Sequence, residues 1–484
     1  MLTLIVFIPL AAAVLCALVP TTRATWPRSI ATIASALDLA LVGALVVGYT
    51  PDGGTQFAEK VAWVPHLNVN YSLGVDGISI SMLVLSALLT LLAVIASWKI
   101  DTKPKFYFAM LMLLEVGMNG VFVALDFILF YLFWELVLVP MYFLIAQWGG
   151  PRRGYAALKF FLYTFLGSVF MLVGIVLLYL NTGTFDMTQV PGLAAALPTA
   201  LQGWLFLLFF LGFAVKVPIW PLHTWLPDAH VEAPTAASAL LAGVLLKMGL
   251  YGFLRVSMPM LPDAFAEWRI AIAVLAVISI IYGAAVAFAQ TDIKKLVAYS
   301  SVSHMGFAML GVAAGTAAGV DAALAVGFSH GLISAMLFLM VGMIYDRAHT
   351  REIAELSGVG ARTPVVGGLM MFATIASVGV PGLSGFVGEF LSLLAAWTSD
   401  LPAVFALVAL LGVLFGAVYM LWMVRRVVFG KPSAALDGAA DASAREILSV
   451  GPLIVLIALI GMNWDVLLRY VDPAARALAT VVGG

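Results

Sequence analysis

Apolar runs of about twenty residues recur from one end of this chain to the other, and nothing else in it constrains the fold as tightly. A run of that length crosses the hydrocarbon core of a bilayer as a helix. In lipid every backbone N–H and C=O must be satisfied internally, which leaves helices and closed barrels as the only spanning structures. Windows near 2–19, 29–48, 74–98, 106–124, 127–147, 159–180, 202–221, 235–257, 270–289, 296–313, 321–345, 364–397, 402–424 and 447–463 predict an all-α, polytopic membrane protein of about 14 transmembrane helices. Hydrophobic residues make up 63% of the 484 and charged residues only 10%, where a soluble domain has about 25% charged. A soluble enzyme and a secreted disulfide scaffold are excluded. A net charge of −1 leaves no basic surface for nucleic acid.

Little in the chain could hold a redox group. Cys16 is the single cysteine and lies in the first apolar run, where it reads as a small buried hydrophobe. One thiol holds neither an iron–sulfur cluster nor a structural zinc. The glycine-rich segment 379–390 lacks the Lys-Ser/Thr ending of a phosphate loop. No cofactor or metal is expected on this chain, so any redox chemistry belongs to partners. The first run has no Lys or Arg before it and reads as a retained helix.

Basic residues orient the spans. With the N-terminus outside, 17 fall in inside loops: Arg23, Arg28, Lys99, Lys103, Lys105, Arg152, Arg153, Lys159, Lys294, Lys295, Arg347, Arg351, Arg362, Arg425, Arg426, Lys431 and Arg445. Five fall outside: Lys60, Arg255, Arg269, Arg469 and Arg476. That bias predicts a bacterial inner membrane protein with both termini on the periplasmic side.

The remaining two, Lys216 and Lys247, lie within spans, as do Glu115, Glu135, Glu389, His304 and His330. A charge at the bilayer centre costs roughly 2.5–3.5 kcal/mol on insertion scales. Helices could be held together with Ser, Thr or Gly at far lower cost, so an ion path is the better reading of the set. A lysine loses proton affinity on desolvation and regains it when a carboxylate approaches; arginine stays protonated throughout. Tyr299, Ser300, Ser301, Ser303, Ser329 and Ser334 flank the two histidines and read as a wet lining, unless backbone carbonyls take their protons. His223 and His230 flank the 202–221 window and are candidates for the uptake side, whereas His66 and His349 read as solvated loop residues. Asp76 and Asp126 read as caps, and Glu232 as a carboxylate favouring the start of the 235–257 helix.

Two windows carry helix breakers beside an ionisable residue. Pro218 and Pro221 follow Lys216; Gly379, Pro381, Gly382 and Gly385 precede Glu389. Proline removes a backbone donor and frees carbonyls, and in lipid such backbone must face protein or water. The two breaks stand five spans apart. An odd offset reverses direction, so spans 4–8 and 9–13 predict two inverted five-helix repeats, each with a broken helix in fourth place. The boundaries expected are 1–104 for an N-terminal three-helix segment, 105–257 and 258–430 for the repeats, and 431–484 for a C-terminal helix and tail.

The strings YSLGVDGISISM (71–82), FWELVLVPMYFLI (133–145), KVPIWPLHTWLPDAHVEAPTAASALLAGVLLKMGLYG (216–252), DIKKLVAYSSVSHMGF (292–307) and GVPGLSGFVGEF (379–390) resemble the antiporter-like membrane subunits of respiratory complex I and the related Mrp-type antiporter chains. The resemblance covers nearly the whole chain. It implies that Glu135 pairs with Lys216, that Lys247 is the central connecting residue, and that Glu389 is the exit-side group. Glutamate at 389, where most members carry lysine, resembles the M-type branch, and the chain is too short for the long lateral helix of L-type members. The implied function is proton translocation in an NADH:quinone oxidoreductase. FMN, iron–sulfur clusters and quinone would then lie in partner subunits, and L-type and N-type chains would be neighbours in a hetero-oligomer. A gradient-driven cation/proton antiporter and an inert scaffold are the rivals.

Overall fold

Asp and Pro punctuation sets where the helices begin. The computed structural model describes residues 1–20 and 25–483; Arg23, counted above among the inside residues, lies outside the described residues. The helices are α1 (Leu2–Leu18), α2 (Thr25–Gly48), α3 (Gly77–Ala96), α4 (Pro104–Val123), α5 (Phe127–Trp148, with one irregular turn at Val137), α6 (Arg153–Thr182), α7 (Thr199–Lys216), α8 (Trp225–Glu232) and α9 (Thr235–Met260). They continue as α10 (Pro262–Phe288), α11 (Ile293–Ala314), α12 (Ala317–Ala348), α13 (Pro364–Val378), α14 (Ser384–Thr398), α15 (Val404–Val427), α16 (Ala444–Met462) and α17 (Asp465–Val481). Asp76, Asp126 and Asp292 cap α3, α5 and α11 by accepting two backbone N–H bonds each. Pro104, Pro262 and Pro364 open their helices where a missing N–H does no harm.

Twelve helices among the described residues are long and apolar enough to cross a membrane. Leu2–Leu18 and Pro364–Val378 are shorter apolar helices at the places of two further expected spans, so length alone does not reach fourteen. The breaks fall where the prolines and glycines put them. α7 stops at Lys216 and α8 starts at Trp225; α13 stops at Val378 and α14 starts at Ser384. α9 and α12 are buried along their apolar length and form the centre. The outer helices sort by size: on α15, Ala406, Ala409, Gly412 and Gly416 face inward or pack closely, while Leu407, Leu410, Leu411 and Leu414 are exposed.

The two units mirror each other in detail. Asp126, the cap of α5, bridges to Asp186 in the loop after α6; Asp292, the cap of α11, bridges to Glu352 in the loop after α12. Each unit is thus three helices, a broken helix and a closing helix: α4–α9 and α10–α15. Two elements are not in the sequence reading. The 49–73 connection contains an antiparallel hairpin, β1 (Gln56–Val64) with β2 (Val69–Val75). The run after 464 forms α17, whose Leu467, Val471, Ala474, Ala475 and Leu478 pack on α12 and α3.

Several loop residues find defined partners. Lys60 of β1 donates to Asp186 at 2.6 Å. Burial pushes the Asp186 carboxyl up, but Lys60 and Thr188 more than offset this and hold it below its ordinary value. Arg255 lies 2.6 Å from Asp76, whose carboxyl is likewise pushed up by burial and held below its ordinary value by that guanidinium. Glu232 departs from expectation. Its Oε2 accepts the Arg152 N–H at 2.9 Å, so the carboxylate serves the start of α6 and not that of α9. His66 and His349 are exposed.

Candidate functional site

In the first unit, Glu135 and Lys216 face each other without touching. Glu135 sits half-buried on α5, within hydrogen-bonding reach of Tyr131 and of Ser168 on α6, and within electrostatic reach of Lys216. Lys216 ends α7, is 1% exposed, and its Nζ has no hydrogen-bond partner. It lies 5.4 Å from the centre of the Trp134 ring, the residue just before Glu135. A cation held over an aromatic face keeps some stabilisation without a counter-ion. Lys216 therefore stands as a donor with no fixed acceptor and one carboxylate nearby.

Backbone groups at the α7–α8 break find partners within the protein. The Trp225 indole donates to the freed Val215 carbonyl at 2.9 Å, Ile219 N–H returns to Ala214 at 3.0 Å, and Ser279 Oγ accepts the Trp220 N–H at 3.0 Å. Two side chains and one backbone carbonyl thus pair with backbone groups at the break. α9 lies hard against α7 because Gly249 and Gly252 leave no room for a Cβ beside Phe213 and Val217.

The second unit closes into a run of contacts. Lys247 is fully buried on α9, just after a π-helical turn at Leu241–Leu245. Lys247 Nζ donates to the carbonyl of Ala242 within that turn at 2.6 Å. The same Nζ lies 2.6 Å from His330 Nδ1 on α12. The His330 and His304 ring centres are 5.6 Å apart. His304 Nδ1 donates to Glu389 Oε1 at 2.7 Å, and its Nε2 meets Ser377 Oγ at 3.2 Å. A cavity of about 20 Å³ lined by His304, Ser329, His330, Ser377 and Glu389 sits in this gap. That volume holds about one water. Lysine, imidazole, imidazole and carboxylate thus follow one another from α9 to α14.

The hydroxyls divide. Ser300 and Ser301 donate to the Val297 carbonyl, and Ser303 to that of Ile280, so the wet lining expected of α11 is spent on backbone. Ser329 and Ser334 on α12 are buried with no partner. His223 packs against Tyr282, and His230 stacks on Phe338 at 4.4 Å; all four of their ring nitrogens are buried and unpartnered. His230 lies within electrostatic reach of Lys247 and Lys294. Glu115 on α4 is fully buried, with neither oxygen bonded.

Two charged residues were passed over by the sequence reading. Lys294 counts as a loop residue there, yet it is buried and donates to the Ala233 carbonyl at 2.6 Å. With Glu232, Arg351, Asp346, Lys99 and Arg445 it lines a vestibule of about 620 Å³ at one end of the molecule. Asp38 is a fully buried acid midway along α2. Its signal, a lone carboxylate inside an apolar run, was legible in the sequence.

Residues 124–416 match the family model described as NADH:quinone oxidoreductase/Mrp antiporter, TM, and residues 56–122 match that of NADH-ubiquinone oxidoreductase chain 4, amino terminus. The chain is 45% identical to the NADH-quinone oxidoreductase subunit M of Rhodobacter capsulatus, over 99% of this chain and 96% of that protein. Its fold matches a chain of the respiratory complex I of Thermus thermophilus with bound NADH, with a TM-score of 0.91, 33% identity and full coverage of both chains. A chain of the Mrp complex from Dietzia sp. DQ12-45-1b shares the fold, with a TM-score of 0.86 at 24% identity, over 99% of this chain and 52% of that one.

Proposed function

The chain belongs to the NADH:quinone oxidoreductase/Mrp antiporter membrane family, among its subunit M members, and from that premise we propose that its buried Glu, Lys and His residues carry protons through the membrane arm of a quinone-reducing complex. It is an antiporter-like, proton-translocating subunit of NADH-quinone oxidoreductase. It works in a hetero-oligomer with other membrane subunits and carries no redox chemistry itself. On our reading L-type and N-type chains are its neighbours. FMN, iron–sulfur clusters and quinone reside in partner subunits, and both termini face the periplasm of a bacterial inner membrane.

Quinone chemistry in those partners shifts charge along the arm. Glu135 then moves relative to Lys216 and alters the free energy of its proton. Lys216 has no competing acceptor, so it releases toward the interior and on to Lys247, which lies within electrostatic reach of His230. From Lys247 the proton passes through His330 and His304 to Glu389 and out; His223 and the vestibule serve uptake, and Glu115 is a second input. Imidazoles suit this relay because each accepts on one nitrogen while donating from the other. The observation that carries the reading is the Lys247–His330 contact at 2.6 Å and the His304–Glu389 contact at 2.7 Å, set end to end across the small cavity that separates the two imidazoles.

The test is proton pumping by the assembled complex in reconstituted vesicles. Lys216→Ala and Glu135→Ala are each expected to cut pumping while the subunits still co-purify. Full pumping by Lys216→Ala overturns the relay. Flavin and iron–sulfur absorbance should co-purify with the chain; a colourless set of small membrane chains would favour a gradient-driven antiporter.

A further inference from the structure

Off the path just described, α2 and α4 bury two acids against each other. Asp38 and Glu115 are both 0% exposed. Their carboxyl groups lie within hydrogen-bonding reach of one another. Among the described residues the neutral donor to the pair is Asn119, one turn beyond Glu115. Its amide N–H₂ donates to Asp38 Oδ2 at 2.9 Å and to the Ile5 carbonyl at 3.4 Å, while its Oδ1 accepts from Ser86 at 2.7 Å. Those bonds fix Asn119 with nothing left for Glu115. Both Glu115 oxygens and Asp38 Oδ1 are buried without a partner, and neither acid forms an ion pair among the described residues. Two ionised carboxylates are strongly disfavoured together in a fully buried site where the described residues offer one amide donor and no cation. A proton on either acid resolves this, because the O–H of one carboxyl then donates to the other, as in carboxylate dyads.

We propose that Asp38 and Glu115 hold one proton between them and form a second proton-binding site of the pump, on the α1–α2–α4 side of the first unit. Glu115 is already an input in the function proposed above, and the present inference rests on that reading. What it adds is Asp38 as the partner, a shared proton as the bound species, and Asn119 with Ser86 as the groups that position it.

The experiment uses the whole complex. Infrared difference spectra between the resting and NADH-reduced states are recorded in H₂O and D₂O, for the unaltered complex and for Asp38→Asn and Glu115→Gln. Both substitutions keep side-chain volume, and co-purification of the subunits checks assembly. The expected result is a deuterium-sensitive band of a protonated carboxylic acid that changes with turnover and is lost in both variants. Asp38→Asn should also lower the protons pumped per electron. A band that persists in both variants overturns the shared proton. No such band in the difference spectrum of the unaltered complex, with the protons pumped per electron unchanged in Asp38→Asn, overturns the pump role and leaves a neutral pair joining two helices. Full pumping by Lys216→Ala, with the Asp38-dependent band intact, would instead sink the Glu135–Lys216 relay alone.

Discussion

At the scale of single residues, function depends on which groups are left without partners. Lys216 Nζ is buried and unbonded, whereas Lys247 is bonded twice. The two should respond differently to arginine. Arginine stays protonated whatever approaches it, so Lys216→Arg should cut pumping as severely as Lys216→Ala, roughly a hundredfold in the proton-transfer step. A vesicle assay in which Lys216→Arg pumps normally would show that only positive charge is needed there. At the far end, Glu389→Gln leaves His304 Nδ1 its hydrogen bond but removes the proton acceptor. It should block pumping, while Glu389→Asp retains part of it, read by the same assay. The residues themselves were legible: seven ionisable groups inside apolar runs, each too costly to be ornament. Their connections were not. Lys247 and His330 stand 83 residues apart, and His304 and Glu389 stand 85 apart. Residue spacing says nothing about which helices meet at those separations. Asp38 escaped for a different reason, because one acid in a long apolar run gives no hint of the partner on α4 that makes it meaningful.

At the scale of elements, breaks and caps do the positioning. Proline and glycine announced both broken helices, and Asp76 and Asp126 are the caps expected of them, while the cap made by Asp292 emerges only in the structure. The sequence did not disclose that the α7–α8 break would be closed by an indole, since Trp225 reaches back to Val215 only after the chain has turned. The α13–α14 break is held from outside by α16: a Cβ at Gly461 would come within 2.3 Å of the Leu383 backbone. Gly461→Ala should therefore move α16 off the break and destabilise the fold by about 1–3 kcal/mol, read as a lowered unfolding temperature in detergent. The hairpin gives a pH test. Asp186 binds a proton less readily folded than unfolded, so its contribution is present above the unfolded carboxylate pKa, about 3.9, and is lost as pH falls through the lower folded value. Protection of the amides over 56–75, corrected for the intrinsic pH dependence of exchange, should be high near neutrality and fall below about pH 4; Asp186→Asn should lower it near neutrality and leave it unchanged at low pH, where Asp186 has already lost its charge.

At the scale of the whole molecule, low charge has two uses. Most basic residues mark one end, and Lys99, Lys294, Arg351 and Arg445 do meet around a single vestibule. Arg255 pairs with Asp76 at the start of α3, and Arg476 with Asp472 on the exposed face of α17. α17 shows where composition misleads. Its span is no more than a tail by mean hydropathy, yet its apolar residues share one face, so it forms only because α3 and α12 offer a surface to cover it. The inverted repeat follows from counting spans, and the matched Asp126–Asp186 and Asp292–Glu352 bridges give it structural form. Which end faces the periplasm is a prediction the chain makes easy to test. Its single cysteine, Cys16, is buried and should stay silent toward a membrane-impermeant maleimide. Asp437→Cys, in the exposed loop after α15, should label only in inverted vesicles. Ala196→Cys, exposed between α6 and α7, should label only in right-side-out ones. The reverse pattern would invert the topology and turn the vestibule from an uptake mouth into an outlet, because the relay residues are fixed to the helices that the labels orient.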